Sequence, residues 1–102
     1  MKKLNIAPGD LKTILELCNH WAPNYEIWAY GSRVKGASHS GSDLDLVIYN
    51  PKNPDSLFHQ LDALRQALHD SDIPFLIDIF DWSALPETFK TEILKTKVIL
   101  IS

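Results

Sequence analysis

Gly31-Ser32-Arg33-Val34-Lys35-Gly36, followed by Ser42-Asp43-Leu44-Asp45-Leu46-Val47-Ile48, is the stretch that decides how this chain is read. The second segment alternates. A strand sends successive side chains to opposite faces, so Leu44, Leu46 and Ile48 enter a core while Asp43 and Asp45 project together from the other side. Aspartate is depleted in strands, and two neighbouring carboxylates repel unless one is protonated or a cation lies between them. A divalent ion removes the conflict, and Mg²⁺ takes one or two carboxylates and completes its octahedron with water and phosphate oxygens. The first segment suits the phosphates. It follows the apolar run Ile27-Trp28-Ala29-Tyr30, which reads as a strand. Gly31 lets backbone approach closely, and exposed amides, the Ser32 hydroxyl and the Arg33 guanidinium form an anion-binding turn. Lys35 adds positive charge.

Ten residues, Arg33 to Ser42, separate the two halves. The arrangement resembles the Gly-Ser-x10-Asp-x-Asp signature of the polymerase-β-like nucleotidyltransferase superfamily, and the short chain looks like its minimal nucleotidyltransferase (MNT) branch. The resemblance runs on through Asp78-Ile79-Phe80-Asp81-Trp82, a helix around Phe89 and Ile93, and the tail Val98-Ile99-Leu100-Ile101. One departure is Val34-Lys35, where many relatives carry Ala-Arg, which keeps the charge but not the bidentate geometry.

The resemblance implies a polymerase-β-like α/β fold and an Mg²⁺-dependent transfer of a nucleoside monophosphate, AMP from ATP, to a hydroxyl. It implies a third carboxylate on a later strand, for which Asp78 is the candidate. Asp81 is the rival, of opposite strand parity, and is assigned to the strand exit. Asp43, Asp45 and Asp78 then form the catalytic and metal-holding set, with two Mg²⁺ ions, and Gly31, Ser32 and Arg33 bind the nucleotide. The MNT branch also implies a partner, a HEPN-domain ribonuclease toxin modified on a tyrosine within a hetero-oligomer, so that the chain acts as an antitoxin. Two other readings stay open: an antitoxin that neutralises by binding alone, and a catalytic subunit that modifies a small molecule.

At 102 residues the chain is expected to form one domain over 1–102, with a modest core and no room for a second substrate lobe. A net charge of −3 argues against direct nucleic-acid binding, which depends on phosphate neutralisation. No apolar run is long enough for a membrane span or signal peptide, and the single Cys18 has no internal disulfide partner, so a cytoplasmic protein is expected. Cys18 continues the stripe Leu11, Ile14, Leu15 and reads as core. His20, His59 and His69 lack metal-ligand spacing and read as surface or capping groups.

Proline and periodicity divide the chain. Pro8 opens a helix through about Trp21, and Pro23-Asn24 mark its exit into the strand ending near Tyr30. Asn50-Pro51-Lys52-Asn53-Pro54 read as a turn, after which Leu57, Leu61, Leu64 and Leu68 step along a helical face. Pro74 precedes the Asp78 strand, Pro86 opens another helix, and the final β-branched run is a strand. The order suggests helices packed on a small mixed sheet. Trp28 and Tyr30, beside the motif, read as strand aromatics used in packing, with contact to a nucleotide base as the alternative.

Overall fold

The structure is a computed structural model that describes residues 6–30 and 44–102. Helix α1 spans Pro8–Trp21, with proline in the first turn, where its missing N–H has no intrahelical partner to lose, and Asp10 beside the positive end of the helix dipole. It ends at Ala22, whose amide donates to the Cys18 carbonyl at 2.8 Å. Asn24 then adopts a left-handed φ of 72°, a conformation asparagine tolerates better than most residues, and turns the chain into strand β1, Glu26–Tyr30.

Strand β2, Leu44–Tyr49, pairs antiparallel with β1, and Tyr30 faces Asp45 at the end of the ladder. Strand β3, Ile77–Asp81, lies parallel to β2, which requires a crossover, supplied here by helix α2, Leu61–His69. After a 3-10 turn at Trp82–Ala84 and helix α3, Glu87–Thr96, strand β4, Val98–Ile101, returns antiparallel to the free side of β1. The order is β3-β2-β1-β4, a mixed four-stranded sheet in agreement with the α/β expectation.

Period-two alternation divides the two faces. Ile27, Ala29, Leu44, Leu46, Ile48, Ile77 and Ile79 pack with Ile14 and Cys18 of α1 and Leu64 and Leu68 of α2. Complete burial of one such aliphatic side chain contributes about 1.5–3 kcal/mol. On the opposite face Trp28, Val47 and Ile93 form a second cluster, joined by Tyr30, Tyr49, Trp82 and Leu85. Trp28 stacks on Tyr49 with centroids 4.5 Å apart and meets Trp82 edge-on at 5.3 Å. Only 2 % of Trp28 is exposed, so its ring belongs to the packing.

Burial pushes the Cys18 thiol up to about 12. Buried and held protonated, the thiol in the folded chain is expected to resist iodoacetamide while the unfolded chain is alkylated. Mass spectrometry after a timed pulse measures the difference, and rapid labelling of folded protein would contradict the core placement.

One element starts later than its periodicity suggests. Leu57 lies outside α2 and is 59 % exposed. The reason is tertiary: the Phe58 amide donates to the Asp81 carboxylate at 2.7 Å, and the Phe58 ring meets Tyr25 edge-on at 5.0 Å. Anchoring Phe58 to the end of β3 delays the helix to Leu61 and turns Leu57 outward. In α3, Ile93 is buried, as its position suggests, whereas Phe89 is exposed.

Candidate active site

The parallel ladder places Asp45 of β2 directly beside Asp78 of β3, and the antiparallel ladder places Tyr30 of β1 on the other side of Asp45. Neighbouring strands lie about 4.8 Å apart, so the three side chains make one short row on the face opposite α1 and α2. Asp45 is half-buried. Asp78 is exposed, because β3 is an edge strand, and its flanking Ile77 and Ile79 point into the core instead. A carboxylate flanked by two buried isoleucines is therefore accommodated by an open edge. Gly31, Ser32, Arg33 and Asp43, with Val34 and Lys35, lie outside the described residues.

The electrostatics of the row register on Tyr30. Burial first, then the charges of Asp45 and Asp78, push its phenol up to about 12, so it stays protonated at neutral pH. Removal of its proton would place a third negative charge beside the two carboxylates.

Asp81 occupies a different environment. It lies on the core face, 7 % exposed, and both of its oxygens are in use. One accepts from the Phe58 amide at 2.7 Å, and the other accepts from the Ser83 amide at 3.0 Å and the Ser83 hydroxyl at 2.8 Å. Asp81 caps the 3-10 turn and ties it to the chain entering α2. Two residues of strand, Ile79 and Phe80, thus separate a carboxylate open to ligands from one committed to the fold.

Two carboxylates in register, at least one open to solvent, are a hard-oxygen donor pair that fits a divalent cation with phosphate ligands. Among the described residues no group of three His, Cys, Asp or Glu side chains converges.

The pattern of the Polymerase beta, Nucleotidyltransferase family matches residues 12–102 of this chain. The chain belongs to that family. Within it, the nucleotidyltransferase is 36 % identical over 98 residues to the "Probable protein adenylyltransferase MntA" of Haemophilus influenzae, covering 96 % of this chain and 84 % of that protein. Its fold is shared with a toxin–antitoxin crystallised with AMP-PNP, at a TM-score of 0.68 and 23 % identity over 88 % of this chain and 71 % of the other. The toxin–antitoxin MntA-HepT superposes at a TM-score of 0.64 and 18 % identity over 92 % and 71 % of the two chains. At these identities the structural likeness is one of fold, and the family match is what makes the chain a nucleotidyltransferase. Among the described residues of the nucleotidyltransferase, no helix is long and apolar enough to cross a membrane.

Proposed function

We propose that this nucleotidyltransferase transfers AMP from ATP to a tyrosine hydroxyl of a HEPN-domain ribonuclease toxin, and so acts as its antitoxin. The observation that carries the reading is the register of Asp45 with Asp78, two carboxylates from separate strands on one face. The 36 % identical protein adenylyltransferase and the toxin–antitoxin folds support the choice of acceptor and partner. The setting that follows is a hetero-oligomer with the toxin in the cytoplasm.

In this reading Asp43 and Asp45 would hold Mg²⁺, two ions in the complete site, with Asp78 as the third carboxylate. Bound Mg²⁺ supplies charge neutralisation at the phosphoryl oxygens. The chain itself positions the reactants. Gly31, Ser32 and Arg33 hold the triphosphate, and Asp78, at the open edge, faces the incoming hydroxyl. The hydroxyl oxygen bonds to the α-phosphorus, its proton passes to Asp78 and on to solvent, and the bond from phosphorus to the bridging oxygen breaks. Pyrophosphate leaves. In-line displacement needs the entering and leaving oxygens on opposite sides of phosphorus, so most of the rate comes from positioning and electrostatics.

A catalytic antitoxin works substoichiometrically, because each molecule turns over, whereas an occluding one does not. Toxin treated with this protein and Mg²⁺-ATP, then separated from it, is expected to keep low ribonuclease activity and to gain the mass of AMP on a tyrosine-containing peptide. Full recovery of toxin activity without a mass change would replace transfer with occlusion.

A further inference from the structure

We propose that Lys97 binds the β- and γ-phosphates of ATP and holds them as pyrophosphate leaves. This assignment rests on the nucleotidyltransferase reading above and adds a residue to it. Strand β4 pairs with β1 so that Val98 faces Ala29, the last pair of that ladder, and Lys97, the residue just before β4, lies beyond it at the Tyr30 end of β1. The cation therefore stands at the end of the row of Tyr30, Asp45 and Asp78 that is opposite Asp78.

Two observations fix where its charge lies. The backbone of Lys97 is pinned by its own amide, which donates to the Ile93 carbonyl at 2.8 Å and closes the last turn of α3. Its ammonium sits 3.7 Å from the centroid of the Trp28 ring, and Trp28 shares the sheet face of Tyr30 and Asp45. Val98 packs into the core on the other side, as alternation requires. A flexible four-carbon stem anchored at one end thus carries a cation along the face that holds the carboxylates.

The position on the row selects the ligand. An in-line reaction that admits the acceptor at the Asp78 edge expels its leaving group toward β1 and β4, where Lys97 stands. The Asp45 and Asp78 charges disfavour an unshielded polyphosphate, and a cation held over Trp28 on β1, the strand next to that of Asp45, complements the tail of the nucleotide. Contact with the Trp28 face and the negative end of α3 stabilises the same ammonium without any nucleotide, so the test has to separate phosphate binding from packing.

Titration calorimetry with Mg²⁺-AMP-PNP and with AMP, on the same preparation of each protein, makes that separation. Lys97→Gln is expected to weaken AMP-PNP binding about tenfold, equivalent to about 1.4 kcal/mol, while AMP changes less than twofold. Lys97→Arg is expected to retain most of the affinity for AMP-PNP. Because both ligands are measured on one sample, partial unfolding lowers the two together and leaves their ratio unchanged. A wild-type ratio of AMP-PNP to AMP affinity in Lys97→Gln would overturn the assignment while leaving the nucleotidyltransferase reading in place. A wild-type protein that binds neither nucleotide would remove both.

Discussion

Asp45→Asn is expected to lower AMP transfer by a factor on the order of 10³, because in the proposed mechanism it removes a charged oxygen ligand from the site where phosphoryl charge has to be neutralised. The same change separates catalysis from stability. Asp45 stands in register with Asp78, so neutralising one of them relieves repulsion in the metal-free protein, and the melting temperature without Mg²⁺ is expected to stay level or rise. The stability that Mg²⁺ is expected to add to the wild-type chain should shrink in the variant, since a ligand stabilises only the state that binds it. Rate measurements by intact mass, paired with thermal melts at two Mg²⁺ concentrations, check both halves. Wild-type transfer by Asp45→Asn would remove this residue from the site.

Asp81→Asn is expected to do the opposite, a large loss of stability with chemistry intact in the molecules that remain folded. Both Asp81 oxygens accept hydrogen bonds in a buried position, one from Phe58 and one from the amide and hydroxyl of Ser83. Asparagine offers a single carbonyl oxygen, so its NH₂ must face a donor on one side. Leaving buried donors unsatisfied and removing the charge costs about 3 kcal/mol. For a domain of this size that corresponds to a fall of roughly 15 °C in melting temperature. Transfer measured well below the new midpoint should be near wild type. An unchanged melting temperature with lost activity would place Asp81, and not Asp78, at the reaction.

The contrast between these aspartates marks what local sequence rules reach. The alternation of Leu44, Asp45, Leu46 sets which face Asp45 joins, whatever surrounds it, because side-chain direction in a strand has period two. The same parity separates Asp78 from Asp81. The bounds of α1 are also local, with proline at its start and the Ala22, Pro23 and Asn24 exit at its end. These features, with the Gly-Ser and Asp-x-Asp spacing, were sufficient to identify the family and the α/β fold.

What the sequence could not decide are pairings between distant parts of the chain. Nothing near Phe58 announces that its amide is held by a carboxylate 23 positions later, and that bond delays the start of the helix by one turn, leaving Leu57 out of the Leu61, Leu64, Leu68 face. Nothing in Asp45 or Asp78 alone states that they fall in register, since that depends on how the α2 crossover returns the chain to β2. Lys97 is the clearest case: by sequence it is an ordinary lysine at a helix end, and only the antiparallel return of β4 to β1 brings it to the Tyr30 end of β1 with its ammonium over Trp28. Short-range sterics and periodicity are written in consecutive residues, whereas the order and register of strands depend on packing the whole sheet, which no local stretch contains.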